Sequence, residues 1–147
     1  MNIRFLAIGI FSLLLISCNN NDDLNNNCEY PTTIDSNEYW NGQTNLVMIN
    51  RLTISNGCLT KNFTGSGCDE TPWSVKLIDS GEILDGNPKE RNLRLYFDHS
   101  DMCLVSTTKE VTFDISRLRT GGNEVLLNIK TDPNTHFFFV EQILYEY

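Results

Sequence analysis

One short polar run contains the residue types best suited to chemistry. The run Asp98-His99-Ser100-Asp101 places two carboxylates, an imidazole and a hydroxyl within four residues, a set capable of binding a cation or transferring protons. Consecutive side chains of an extended chain point to opposite faces, so only alternate members of the run converge without a turn. Because an acidic turn after a strand accounts for the same residues, we assign them no catalytic or metal-binding role.

Other catalytic arrangements are not specified by the sequence. It contains no Gly-x-Ser-x-Gly motif, and nothing distinguishes one serine as a nucleophile. Acidic residues are numerous, but no spacing selects a pair for glycoside hydrolysis. The cysteines after residue 27 also lack the close spacing of zinc ligands. We therefore predict a protein that is not an enzyme and needs neither a cofactor nor a metal.

Aromatic side chains provide the candidate ligand contacts. Tyr39 and Trp40 lie in a polar stretch that ends at Asn41-Gly42, and an aromatic face with a polar edge is suited to stacking on a sugar ring. Trp73 and Tyr96 are further candidates for such a face, but Trp73 begins a strand and fits a core position better. We therefore predict that Tyr39 and Trp40 contact the ligand.

Length and charge limit the class of protein. The chain has 147 residues, of which 40% are hydrophobic, and this suffices for one domain. Nineteen acidic residues against 11 basic ones give a formal net charge of −8. A nucleic-acid-binding protein needs a basic face, so we exclude nucleic acid as a partner.

The N-terminus has the composition of a targeting segment. Residues 1–4 carry one positive charge, and residues 5–16 form an almost wholly apolar run of 12 residues, which is too short to span a bilayer. The following Leu15-Ile16-Ser17-Cys18 resembles the bacterial lipobox. That resemblance implies that residues 1–17 are a signal peptide, that cleavage precedes Cys18 and that Cys18 carries the lipid.

The segment after Cys18 is predicted to be a flexible tether. Residues 18–27 are rich in Asn and Asp with one apolar residue, and such a composition cannot bury enough surface to fold. Asp22 and Asp23 resemble the acidic export signal of Bacteroidota surface lipoproteins. The resemblance implies lipid anchoring in the outer membrane at the cell surface, and the periplasmic face is the alternative.

The rest of the chain has the pattern of short β-strands. Apolar and polar residues alternate in the segments at 52–54, 59–64, 73–78, 91–97, 111–115 and 125–129, as half-buried strands require. Asn56-Gly57 between two such segments predicts a tight hairpin. We therefore expect residues 28–147 to form one all-β domain, an antiparallel, immunoglobulin-like β-sandwich of seven to nine strands. Residues 114–125 also resemble an edge crossing of extracellular β-sandwich domains.

Four cysteines remain once Cys18 is assigned to the anchor. An even number in an exported protein predicts two disulfides, for which three connectivities exist. A hairpin centred near Asp85-Gly86 would bring Cys68 and Cys103 to the same end of two paired strands. We therefore predict a Cys68–Cys103 bridge and, by elimination, a Cys28–Cys58 bridge.

Together these features predict a lipid-anchored envelope protein with a non-catalytic binding module. Its predicted partners are the membrane, through Cys18, and either an outer-membrane protein complex or a glycan. One alternative is a structural component of an outer-membrane complex. Another is a small hydrolase whose carboxylate site the sequence does not reveal.

Overall fold

The computed structural model describes residues 27–45, 47–66, 73–98, 105–131 and 140–147. The described residues form eight strands, one short α-helix and one 3-10 turn. In chain order the elements are β1 (Tyr30–Ile34), α1 (Ser36–Asn41), β2 (Met48–Ser55), β3 (Cys58–Ser66), β4 (Ser74–Leu84), β5 (Glu90–Asp98), β6 (Ser106–Asp114), the 3-10 turn (Ser116–Leu118), β7 (Glu124–Lys130) and β8 (Val140–Glu146). The predicted all-β class is confirmed.

The hairpin predicted at Asn56-Gly57 is present between β2 and β3. Asn56 has a φ of 51° and Gly57 a φ of 74°, and two consecutive positive φ values are typical of the type I′ turn. Ser55 pairs with Cys58 directly across this turn. The local sequence therefore sets the register of the first hairpin.

The prediction of a purely antiparallel arrangement is wrong, because the sheet is mixed. The strand order is β2-β3-β6-β1-β4-β5-β7-β8. β1 runs parallel to both β4 and β6, and β5 runs parallel to β7. The parallel pairs arise because β1 inserts between two later strands and because the chain leaves β5, forms β6 and returns beside β5 as β7. Parallel neighbours need such crossover connections.

The eight strands form one sheet, whereas the prediction expected two facing sheets. The edge strands β2 and β8 approach each other, so the sheet is nearly closed and barrel-like. An immunoglobulin-like sandwich is not confirmed. Closing the sheet encloses one side of every strand, and the alternating apolar residues supply that enclosed face.

The main core fills the inside of this sheet. Phe97 lies near its centre, with ring centroids 4.7 Å from Trp73 and 5.7 Å from Phe63 in edge-to-face geometry. Burying a large apolar side chain contributes roughly 1.5–3 kcal/mol. Trp73 is therefore a core residue, as predicted. The buried members are Val47, Leu59, Phe63, Trp73, Val75, Leu77, Leu93, Leu95, Phe97, Val111, Phe113, Ile115, Leu118, Val125, Leu127, Ile129 and Tyr145.

A smaller apolar cluster on the outer face holds α1 against the sheet. Its members are Tyr39, Ile78 and Tyr96. The Tyr96 hydroxyl donates to the carbonyl oxygens of Glu38 and Tyr39. A Cβ on Gly42 would lie 2.5 Å from the Tyr96 ring, so only glycine permits this close approach.

Polar contacts determine where α1 begins and which of its residues face the sheet. The Asp35 carboxylate caps the helix by accepting a hydrogen bond from the Glu38 backbone N–H at 2.9 Å. Farther along the helix, the Glu38 carboxylate pairs with Lys76 of β4 at 2.8 Å. These contacts and the apolar cluster determine which helix residues face the sheet.

A disulfide joins Cys28 to Cys58, and the two Cα atoms are 5.6 Å apart. Cys28 precedes β1 and Cys58 begins β3, and these two strands flank β6 on opposite sides. Asp114 of β6 pairs with Cys58 on one side and Pro31 on the other. The predicted Cys28–Cys58 bridge therefore crosses the end of β6. Cys68 and Cys103 lie outside the described residues, and their pairing stays a prediction.

Candidate functional site

Of the two predicted ligand contacts, only Trp40 is presented to solvent. Trp40 is 56% exposed, whereas Tyr39 is completely buried. Neighbouring residues of a helix point about 100° apart, so α1 directs Tyr39 into the sheet and leaves Trp40 outside it. The two rings meet edge to face, with centroids 4.9 Å apart. Tyr39, a predicted ligand contact, is therefore not accessible at the surface and instead packs against Trp40.

The structure does not form a flat sugar-binding face from the other aromatic candidates. Trp73 is 9% exposed and lies in the core, and Tyr96 is 5% exposed beneath α1. Trp40 thus stands as a single exposed ring among the four aromatic candidates.

Two cations lie beside the aromatic pair of Tyr39 and Trp40, and no pattern in the sequence distinguishes either of them. The guanidinium carbon of Arg94 is 5.0 Å from the centroid of the Tyr39 ring. The Lys130 ammonium is 5.9 Å from the centroids of both Tyr39 and Trp40. Such distances permit cation–π attraction. We call these four residues, Tyr39, Trp40, Arg94 and Lys130, the Trp40 patch.

Strand register brings the two cations together. Arg94 of β5 and Lys130 of β7 are paired residues of two parallel strands, so their side chains leave the same face of the sheet. Cα atoms at such positions are separated by about 4.8 Å. An alternating pattern alone identifies both residues as outward-facing, but it does not reveal that the strands are neighbours.

Burial changes the electrostatics of the patch. Burial raises the pKa of the Tyr39 hydroxyl, and the nearby Arg94 charge lowers it in part. Burial also lowers the pKa of the Lys130 ammonium, and repulsion from Arg94 lowers it further. Burial and the Arg94 charge therefore both disfavour the charged form of Lys130 at this site.

Arg94 is the least satisfied group of the patch. It is 5% exposed, and its Nε has no hydrogen-bond partner. Within the described ranges, no carboxylate forms an ion pair with it. The Tyr39 hydroxyl is likewise buried without a hydrogen-bond partner. Buried polar groups normally find partners, so these two unsatisfied groups mark the patch as unusual.

An amide and carboxylate network borders the patch. Asn128 of β7 donates to a Glu90 carboxylate oxygen at 2.8 Å and accepts from Gln142 of β8 at 2.7 Å. Asn128 lies two residues before Lys130 on the same strand face. The network satisfies its own polar groups and holds β5, β7 and β8 together beside the patch.

A cavity of about 450 Å³ lies where β2 and β8 approach each other. Glu141 is its one ionisable group among the described lining residues, so this lining contains no general acid–base pair. The described lining residues are Val47, Met48, Ile49, Thr64, Gly65, Ser66, Ser106, Thr131 and Glu141.

Lys61 is another buried basic residue, on the core face of β3. It lies between the fully buried Leu59 and Phe63 in the alternating pattern of that strand. Its ammonium has no hydrogen-bond partner. Burial lowers the pKa of Lys61 well below 10.5, and the charge of Glu141 opposes this in part.

Several predicted residues lie outside the part of the chain that the structure describes. These are Cys18, the first residues of the tether, and His99, Ser100 and Asp101 of the polar run. Asp98 is described; it is exposed at the end of β5 and accepts a 3.4 Å hydrogen bond from the Asn45 amide. The described residues contain no group of three or more His, Cys, Asp or Glu side chains placed to hold a metal ion. None of the described helices has the length and apolar character needed to cross a membrane.

Comparison with known proteins shows a likeness of fold only. No family model and no curated protein matches the sequence. A toxin-related protein from Parabacteroides distasonis is similar in structure, with a TM-score of 0.56, 18% identity and coverage of 80% of this chain and 61% of its own. A NigD-like immunity protein from Bacteroides caccae has a TM-score of 0.57, 10% identity and coverage of 80% and 63%.

A third structure, of a protein of unknown function from Bacteroides vulgatus, has a TM-score of 0.51 and 13% identity. It covers 80% of this chain, which in turn spans 55% of that protein. This chain therefore spans less than two thirds of each neighbour. The neighbours come from Bacteroidales species and are consistent with a Bacteroidota protein.

Proposed function

We propose that this protein is a lipid-anchored, non-catalytic module of the bacterial envelope that binds a protein partner through the Trp40 patch. The observation that carries the proposal is Trp40 itself, an indole that is 56% exposed on a helix fixed to the sheet. Lys130 lies next to the Trp40 ring, and Arg94 is the strand partner of Lys130 and lies over the Tyr39 ring. A rigidly supported aromatic residue loses little entropy when it is covered by a partner.

The composition of the patch favours a protein over a glycan. Trp is among the residue types most enriched where protein–protein binding energy is concentrated, and Trp40 is the exposed aromatic residue of the patch. A glycan-stacking face would need several accessible rings, but Tyr39 and Tyr96 are buried beneath Trp40 and α1. The acidic net charge supports the exclusion of nucleic acid.

The envelope location rests on the N-terminal sequence. The lipobox-like motif ending at Cys18 and the Asn/Asp-rich residues after it support attachment to the outer membrane at the cell surface. The Cys28–Cys58 disulfide supports an oxidising compartment. An origin in the Bacteroidota agrees with the species of the structural neighbours.

Crosslinking in intact cells tests the binding role. We expect the wild-type protein to form a discrete adduct with another envelope protein, and we expect Trp40→Ala to reduce that adduct at least about tenfold, because loss of a central aromatic contact costs 2 kcal/mol or more. Leu144→Ala is the matched control, since Leu144 is also exposed, at 43%, but lies on β8 outside the patch. An adduct that survives Trp40→Ala unchanged would contradict the proposal.

A further inference from the structure

We infer that Arg94 and Lys130 form a binding site for a carboxylate group of the partner protein, supplied by an Asp or Glu side chain that packs against Trp40. This inference rests on the proposed function and specifies the chemistry of the contact. Trp40 is exposed, Lys130 beside it is partly exposed, and Arg94 is 5% exposed.

Arg91 is a buried guanidinium that pairs with a carboxylate of the same chain. Arg91 is also 5% exposed, and its Nε and one terminal nitrogen donate to the two carboxylate oxygens of Asp79 at 2.8 and 2.7 Å. The Gly81 backbone N–H completes the site by donating to Asp79 at 2.7 Å. Bidentate pairing of this kind compensates the loss of water around both charges.

Arg94, three residues later on the same strand, has no such arrangement. Its guanidinium lies over the face of Tyr39, its strand partner is Lys130, and no carboxylate of the described residues forms an ion pair with it. The chain contains 19 acidic residues, so a scarcity of carboxylates does not explain this. Asp79 and Glu82 are near enough to influence Tyr39, yet neither is bonded to Arg94.

Lys130 adds positive charge beside Arg94. Strand register places the two residues next to each other, and each positive charge attracts an anion that approaches this face of the sheet. Lys130 has other interactions within the chain, so the unpartnered donor of the pair is the Arg94 Nε. A carboxylate that reaches Lys130 would also be attracted by the Arg94 guanidinium.

The neighbouring indole selects among possible anions. Guanidinium groups bind carboxylates and phosphates alike, but the exposed Trp40 ring offers apolar surface at the entrance. The methylene groups of a Glu side chain can cover that surface while its carboxylate faces Lys130, whereas inorganic phosphate has no apolar part. We therefore assign the site to an acidic peptide segment.

Titration with synthetic peptides tests this assignment without knowledge of the natural partner. The probe is a blocked peptide with three Glu residues separated by Gly, and the control probe carries Gln at the same positions. Binding is followed by the NMR signal of the Trp40 indole N–H, with the buried Trp73 indole as internal reference. We expect a saturable shift of the Trp40 signal with the Glu peptide and at least about tenfold weaker binding of the Gln peptide, since a hydrogen bond to a charged group contributes about 1.5–3 kcal/mol.

Substitutions at the two cations show whether they carry the interaction. We expect Lys130→Gln and Arg94→Lys each to weaken binding of the Glu peptide by about tenfold. Lys89→Gln is the control, because it removes one exposed positive charge from the β4–β5 turn. Thermal unfolding identifies any variant that does not fold. If Arg94→Lys does not fold, two comparisons test the carboxylate site: the Glu peptide with wild type against Lys130→Gln, and the Glu peptide against the Gln peptide.

The possible results separate the inference from the proposed function. Equal binding of the Glu and Gln peptides, or no Trp40 shift at millimolar Glu peptide, would overturn the carboxylate assignment. So would preferential binding of inorganic phosphate or of a galacturonate oligomer. If these results accompany a Trp40-dependent adduct in cells, protein binding stands and only the carboxylate site is rejected.

Discussion

At the residue scale, the structure separates neighbours that the sequence presents as equivalent. Tyr39 and Trp40 are adjacent in the same polar stretch of the sequence, yet Tyr39 is completely buried and Trp40 is 56% exposed. A six-residue helix is too short to show a helical period in the sequence. The identity of the exposed aromatic residue therefore depended on the packing of α1 against Ile78 and Tyr96.

Lys61 is a charged residue that the alternating pattern places on the same face as Leu59 and Phe63. The structure shows that this face is the inner face of β3, so a lysine occupies an apolar position. Burying an amine without a hydrogen-bond partner costs about 1–3 kcal/mol. Lys61 therefore opposes folding at neutral pH, and its neutral form is favoured in the folded protein.

We predict that Lys61→Met raises the free energy of unfolding by about 1–3 kcal/mol at pH 7. Because the folded-state pKa of Lys61 is below 10.5, the unfolded chain binds more protons than the folded chain between those two values. The stability of the wild-type protein therefore rises with pH across that window, and Lys61→Met removes this rise.

Urea unfolding at pH 7 and pH 9 measures both effects. Lys89→Met, at an exposed position, is the matched control and should change stability by less than about 0.5 kcal/mol. A destabilised Lys61→Met protein would show instead that the ammonium has a favourable role inside the sheet.

At the element scale, most strands follow from the alternating pattern, but their arrangement does not. The hairpin at Asn56-Gly57 was predictable because both of its turn residues accept positive φ. β1 was missed because Tyr30–Ile34 is only five residues long, contains a proline and buries a single residue. The mixed directions were missed because alternation is the same whichever way a strand runs.

The position of β1 gives the Cys28–Cys58 bridge a specific role. β1 pairs with β6 through only two residues, Tyr30 and Pro31, and the disulfide links it to β3 across the end of β6. A bridge closing a segment of 30 residues is expected to stabilise the protein by about 3–4 kcal/mol in the chain-entropy model.

Replacing both Cys28 and Cys58 with Ser should therefore lower the free energy of unfolding by about 3–4 kcal/mol. Denaturant unfolding of the variant and the wild-type protein, both without reductant, measures the difference. Ser55→Ala, in the same hairpin and without a bridge, controls for local changes in the turn. A loss below about 1 kcal/mol would mean that β1 is held by its strand pairing alone.

At the scale of the whole molecule, the acidic net charge, the proposed lipid anchor and the Trp40 patch fit one arrangement. Removing residues 1–17 would take away one positive charge, at Arg4, and make the protein more acidic. The tether predicted after Cys18 would hold the domain roughly 15–18 Å from its attachment point. The Trp40 patch, with its two basic residues, would then be a positively charged region of an acidic domain that is held close to other envelope proteins.

The anchor gives a prediction of its own. Cys18→Ala should abolish incorporation of labelled palmitate and release the protein from membranes, because the acyl chains supply the attachment at about 0.8 kcal/mol for each buried methylene. Cys28→Ser is the control, since it removes a cysteine but leaves the lipobox intact. Continued labelling of the Cys18→Ala protein would rule out lipidation at this residue. Protease treatment of intact cells then distinguishes the cell surface from the periplasmic face.

The central claim, that the Trp40 patch binds a protein, is tested most directly by photo-crosslinking from a single position. A photoreactive amino acid at Asn37, an exposed residue of α1, reports contacts of that helix in living cells, and the same group at Glu110 of β6 serves as the control. We predict one discrete protein adduct from position 37 that is lost when Trp40→Ala is added, and none of the same mass from position 110. An adduct from position 37 that is indifferent to Trp40→Ala, or the same adduct from both positions, would contradict the claim.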